Sequence, residues 1–304
     1  MKKLQIFLMI LVVVGCIGAY IIFTNDNFKN DEEAPLFSLD DYPTVDASLA
    51  TQPLATAFIK NFTGEKEISD ERLGYSNTHP GYVKLINDEV DLIIVTEPSE
   101  EELSLAKEKG VELEIIPVVK EGFVFYVNSE NKVDNLTLEQ IQKIYTGEIT
   151  NWKEVGGDDA KIRAFQRPVN SGSQTGMLSL VMKDLKMMKP ITEDIIETMF
   201  SIINLVSSYD NGRYSIGYSY YYYATTMFQD IDASVANGIT LLGVNGVKPN
   251  NETIYDGSYP IQTAYYIVIR KDEPKDSKVR KLVDAMLSDR GQKVAKGAGY
   301  VPIK

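Results

Sequence analysis

The chain has 304 residues, 44% of them hydrophobic, which is enough for two modest lobes around a sizeable core. Its 31 Lys and Arg against 43 Asp and Glu give a net charge of −12, which argues against nucleic acid or an anionic membrane surface as a partner of the main body. One cysteine and one histidine exclude disulfides within the chain and Cys/His zinc sites.

In chain order, the first element is apolar. After Lys2 and Lys3, residues Leu4 to Phe23 contain only Gln5 as a clearly polar side chain. At about 1.5 Å per residue such a segment crosses roughly 30 Å of hydrocarbon. Lysines before it and Asp26, Asp31, Glu32 and Glu33 after it predict that everything downstream is exported. Within it, "VVVGC" resembles a bacterial lipobox, with Cys16 as the lipidated residue; the apolar continuation "IGAYIIF" fits an uncleaved anchor instead. Either puts the protein at the outer face of the cell membrane, with 1–23 as signal or anchor and 24–41 as a polar tether.

Strand and helix patterns then alternate. Strands are expected at "YPTVDA", "VDLIIVT", "EIIPVV", "GFVFYVN", "KIRAFQ", "YSIGYSYY" and "YYIVIR". Between them lie helices. One starts near Pro53, and two carry capping boxes, Ser99 with Glu102 and Thr137 with Gln140. The last places Val279, Leu282, Val283, Met286 and Leu287 on one face and is expected to stop at Gly291. Alternation of this kind predicts an α/β fold with helices on the faces of its sheets.

The chemistry concentrates in turns that follow strands. In "RAFQRPVNSGSQTGMLSLVM" a strand is expected to end near Gln166 and a helix to begin near Ser173, with Leu178, Val181, Met182 and Leu185 on one face. A strand-to-helix turn leaves N–H groups unpaired where the helix dipole favours negative charge. Ser171 and Ser173 add hydroxyl donors, Gly172 permits close backbone approach, and Arg167 offers a planar fork for a tetrahedral oxyanion. Composition alone also fits a capped helix start beside a surface arginine. Ser48 with Leu49, and Thr96 with Glu97, stand in similar turns, and ligands of open α/β sheets lie beyond the carboxyl ends of strands. Catalytic patterns are lacking: the sequence has no G-x-S-x-G elbow and no Walker A loop, and His79 has no partner evident from spacing. The run Tyr220 to Tyr223, taken as strand, puts alternate rings on opposite faces and reads as packing.

"IYTGEITNWKEVGG", "RPVNSGSQTGM", "YSIGYSYY" and "LVDAMLSDRGQKVAKGAGYVPI" occur in the order found in extracytoplasmic phosphate-binding proteins of ABC importers, and from about Thr44 to Ile303 the chain resembles that PstS-type family. The resemblance implies a two-lobed periplasmic-binding-protein fold of the second type, with an oxyanion in the cleft, no cofactor and no catalysis. By matching position it assigns ligand contacts to Ser48, the Leu49 backbone, Arg167, Ser171, Gly172 and Ser173, and to Thr78 in a loop changed to "YSNTHPG". Where the family has an aspartate that accepts a proton from phosphate, this chain has Thr96 followed by Glu97. Glu97 takes over that role, or the discrimination against fully ionised anions is lost. The expected boundaries are 42–126 plus 247–304 for one lobe and 127–246 for the other. The partners implied are phosphate or a similar oxyanion, ABC permease subunits and the membrane, with the protein a monomer. Its rivals are a surface adhesion or signalling module with an altered cleft, and an oxyanion-handling hydrolase.

Overall fold

Short β-branched runs set the sheet. The computed structural model describes residues 33–68, 72–190, 195–196, 199–208, 212–231 and 237–304, so the apolar segment expected at 1–23, Cys16 included, lies outside the described residues. Among the described residues, no helix is long and apolar enough to cross a membrane. Strands β1 (Val45–Ala47), β2 (Leu73–Gly74) and β3 (Leu92–Val95) run parallel, with β1 in the middle. All four residues of β3 are buried, as expected for a strand covered on both faces. Helices α1 (Gln52–Thr63), α2 (Thr78–Ile86) and α3 (Glu100–Glu108) follow these strands in turn. Their amino ends therefore share the edge where the strands finish. Ser99 and Glu102 close the expected box at the start of α3.

The long strand β4 (Leu113–Asn128) joins the two halves of the sheet. The sequence reads it as two strands; the chain passes straight through Pro117. Proline has no N–H to give the ladder, and the register against β10 (Gln262–Arg270) shifts at Tyr265/Tyr266, beside Pro117, to accommodate it. Residues Leu113–Gly122 pair with β10, while Phe123–Val127 pair with β7 (Ser215–Tyr220). Two-residue strands β5 (Asn135–Leu136) and β6 (Arg163–Ala164) flank helix α4 (Leu138–Thr146), and β6 extends the sheet alongside β7. The order is β2-β1-β3-β10-β4-β7-β6, with β8 (Ile239–Leu241) also paired to β4 and β9 (Gly243–Val244) paired to β5, a mixed α/β fold.

Several expectations change. Leu36 and Phe37 donate their N–H groups to Phe62 O at 2.7 and 3.1 Å, so this end of the expected tether is bound to the body. Strand β7 ends at Tyr220, and Tyr221 to Tyr223 begin a helical segment instead of continuing the strand. After Gly176 the chain widens into a π-helical turn, Met177–Met182, which buries Val181 and Met182 but leaves Leu178 and Leu185 exposed. The penultimate helix stops at Ser288, whose hydroxyl accepts the Gly291 N–H and caps the next helix, Asp289–Gly297; Gly291 is inside that helix.

At the handover on β4 sits a buried carboxylate, Glu121. It accepts N–H groups from Gly122 (2.8 Å) and Tyr222 (3.3 Å), and burial pushes its pKa from an ordinary 4.5 up to about 8. The native state therefore keeps this proton where the unfolded chain has released it. The resulting stability is complete below about pH 4.5 and is lost as pH rises toward 8. Thermal melts from pH 5 to 9 should show Glu121→Gln holding its stability through this window while the wild type declines; parallel curves would contradict the assignment.

Candidate functional site

The loop at Thr78 and the turn at Thr96 meet the 171–173 turn at Gly172, and among the described residues no hydrogen bond joins Ser48 or Leu49 to it. Ser48 leaves the end of β1, its N–H bonded to Ile94 O at 3.2 Å and its hydroxyl 3.0 Å from Thr51 Oγ1. Leu49 opens the following 3₁₀ turn and is exposed. Thr78 is the first residue of α2 and Thr96 follows β3; both are buried and their hydroxyls stand 3.5 Å apart. From the other half of the sheet comes helix α5 (Gly172–Gly176), capped by Ser171, whose hydroxyl accepts the Gln174 N–H at 3.2 Å. The helix thus starts one residue earlier than its sequence predicts. A Cβ placed on Gly172 would lie 2.5 Å from Thr96 Oγ1 and 2.8 Å from Thr78 Oγ1. Only a hydrogen fits there.

Beside this contact the Ser173 hydroxyl is buried and has no hydrogen-bond partner. Such a donor costs free energy unless a ligand or water satisfies it. Arg167 lies at the other end of the same turn. Its main-chain N–H donates to Gln174 Oε1 (3.0 Å) and to the Tyr218 hydroxyl (3.1 Å). Its Nε and Nη1 are shut off from solvent. The guanidinium charge acts on Tyr126, Tyr218 and Tyr223, opposing the rise that burial imposes on their phenols. Arg167 is thus half-buried, with Nε and Nη1 turned away from water.

Glu97 has a partner across the sheet. Its carboxylate accepts the hydroxyl of Ser179, on the π-helical turn opposite, so it bridges the two halves of the sheet. His79 also has a partner that spacing did not reveal: as the second residue of α2 its Nδ1 lies 2.9 Å from Glu102 Oε1.

The sequence reading missed Tyr220 and Gln174. The Tyr220 hydroxyl donates to Gly172 O at 3.0 Å and reaches the Thr96 side chain. Burial raises its pKa well above the usual value, so it stays a donor at neutral pH. Its signal was the two-residue spacing of Tyr218 and Tyr220, which puts both rings on one face of β7 with Phe123, 5.6 and 5.4 Å away. Gln174, which receives the Arg167 N–H and the Tyr218 hydroxyl, left no such signal. Among the described residues, no group of His, Cys, Asp and Glu is placed to hold a metal ion.

A family model described as a PBP superfamily domain matches residues 41–290. The chain belongs to the PBP superfamily. It is 28% identical over 311 residues to the phosphate-binding protein PstS of Bacillus subtilis, covering 100% of this chain and 93% of that one. To PstS of Borreliella burgdorferi it is 33% identical over 193 residues, 60% of this chain and 64% of the relative. A Clostridium perfringens structure solved with bound phosphate superposes with a TM-score of 0.62 at 22% identity, over 86% of this chain and 99% of that one. An ABC-type phosphate transport receptor from Vibrio cholerae superposes with 0.62 at 20%, over the same shares. At these identities the structural likeness speaks for the fold.

Gly172→Ala should force the threonine turns off Gly172 at a cost of about 1–3 kcal/mol, lowering the melting temperature by roughly 3 to 10 °C. Gly297→Ala, in open space at the end of a helix, serves as the control and should leave it unchanged or higher. Equal melting temperatures for the two variants would contradict the close approach.

Proposed function

We propose that the protein is an extracytoplasmic solute-binding component that captures inorganic phosphate, or a related tetrahedral oxyanion, for an ABC importer. The observation that carries this reading is the meeting of Thr78, Thr96 and Gly172 beside the buried, unpartnered Ser173 hydroxyl. Of these groups, the Ser173 hydroxyl is the donor left without a protein partner. Ser48, the Leu49 N–H, Ser171 and Arg167 complete the proposed ligand set, and the relatives named for phosphate binding support phosphate as the anion.

The two lobes, 42–126 with 247–304 and 127–246, close on the anion, and β4 with the return to β10 forms the pair of crossings. Glu97 holds Ser179 through one carboxylate oxygen, so it acts between the lobes in this closed arrangement. The protein performs no catalysis, works as a monomer, passes its anion to permease subunits, and is held at the outer face of the cell membrane by its N-terminal segment, through lipid on Cys16 or as an uncleaved single-pass anchor.

Micromolar capture requires about 8 kcal/mol, which a few charge-assisted hydrogen bonds of about 1.5–3 kcal/mol each supply after the cost of association. Isothermal titration of the full chain with phosphate should show Arg167→Ala weakened about a hundred-fold or more, through the loss of a forked pair of bonds. Ser173→Ala should weaken binding about ten-fold. Undiminished affinity in both would remove the site from the cleft.

A further inference from the structure

Directly behind the threonine turn lies a charged cluster that the ligand set does not use. Asp46 is on β1, two residues before Ser48, and is 0% exposed. Its carboxylate accepts the Ser76 N–H (2.8 Å), the Ser76 hydroxyl (2.6 Å) and the Lys84 ammonium (2.9 Å). The same ammonium donates to Ser76 Oγ at 2.6 Å. A Cβ on Gly74 would fall 2.9 Å from Asp46 Oδ2, so the end of β2 is shaped around this group.

The tie matters because of what comes next in the chain. Asn77 has φ 69°, a backbone region that costs a non-glycine residue about 1–3 kcal/mol and persists only where the surroundings enforce it. Two anchors enforce it here. Ser76 is held by Asp46 and Lys84, and the Asn77 carbonyl accepts the Gly81 N–H of α2 at 3.1 Å. The following residue is Thr78, whose hydroxyl faces Thr96 and Gly172. The pair is only half-buried, with the Lys84 side chain 37% exposed, and a water-facing ammonium adds little to stability. Its worth here is geometric.

We infer that Asp46 is a positioning residue for anion capture: together with Lys84 it fixes Ser76 and the strained Asn77, so that Thr78 and the amino end of α2 stay aimed at the contact with Gly172. The inference rests on the oxyanion site proposed above. Asp46 touches no ligand and acts only through the loop from Tyr75 to Asn77.

The test compares the full wild-type chain with Asp46→Asn and Lys84→Met, using phosphate titration calorimetry well below the melting temperature and peptide-level hydrogen exchange without phosphate. Asp46→Asn keeps the shape but loses the charge and one acceptor. It should weaken phosphate binding roughly ten- to hundred-fold, the scale of a misplacement of about 1 Å, and speed exchange around residues 75–78 while leaving the 171–174 turn unchanged. Lys84→Met should act in the same direction by a smaller factor. A merely structural role would lower the melting temperature and leave the affinity of the folded protein intact, which would overturn the inference. If Asp46→Asn does not fold, Lys84→Met decides by the same two outcomes. A wild-type chain that takes up no phosphate overturns the oxyanion site and this inference together; a binding wild type with an unaffected Asp46→Asn overturns this inference alone.

Discussion

The cleft depends on how closely the backbone at Gly172 approaches two threonine hydroxyls. The side chains of Thr78 and Thr96 leave room for a hydrogen atom and no more. Because Thr78 begins a helix and Thr96 follows a strand, the contact puts helix ends from different parts of the chain within one small volume. Away from bulk water, each electrostatic interaction is stronger than at a surface. The buried Ser173 hydroxyl is the residue of that arithmetic: a donor that the protein itself does not satisfy.

Around this volume the structure is stiff. Across β4 and β7, Phe123 meets Tyr218 at a tilt and Tyr220 edge-on, and Tyr145 closes edge-on against Tyr218 at 5.6 Å. This aromatic wall carries the Tyr220 hydroxyl to Gly172 O and the Tyr218 hydroxyl to Gln174, so the turn bearing Arg167 and Ser171 is braced from behind. The threonine side is braced by charge, through Asp46 and Lys84. Between the two, β4 changes partners at Gly122/Phe123, next to the buried Glu121. Apolar packing on one side and an ion pair on the other give two rigid banks joined by one continuous strand. Glu97 and Ser179 span the gap.

Much of this was legible in the sequence because it is local. Capping boxes at Ser99 and Thr137, the apolar run Leu92 to Val95, and a serine-glycine turn after a strand each follow from neighbours within a few residues. What stayed hidden is long-range or nearly degenerate. Nothing local distinguishes a strand from a helix at Tyr221, and the partnership of Glu97 with Ser179 or of His79 with Glu102 depends on the tertiary fold. The continuity of β4 through Pro117 was unreadable for the same reason, since the compensating register shift is on another strand. Asp46 reads as an ordinary acidic residue at a strand end until Lys84 and Ser76 are placed beside it.

The central claim is that hydroxyls and helix ends from both halves of the sheet, with one guanidinium, together replace the water around a tetrahedral anion. A crystal structure of the protein grown with phosphate tests it most directly. The account predicts one anion seated beside the contact of Gly172 with Thr78 and Thr96, within hydrogen-bonding distance of Ser173 Oγ and of the Arg167 fork. Phosphate found elsewhere on the protein, or this space filled by side chains with Arg167 turned away, would contradict it.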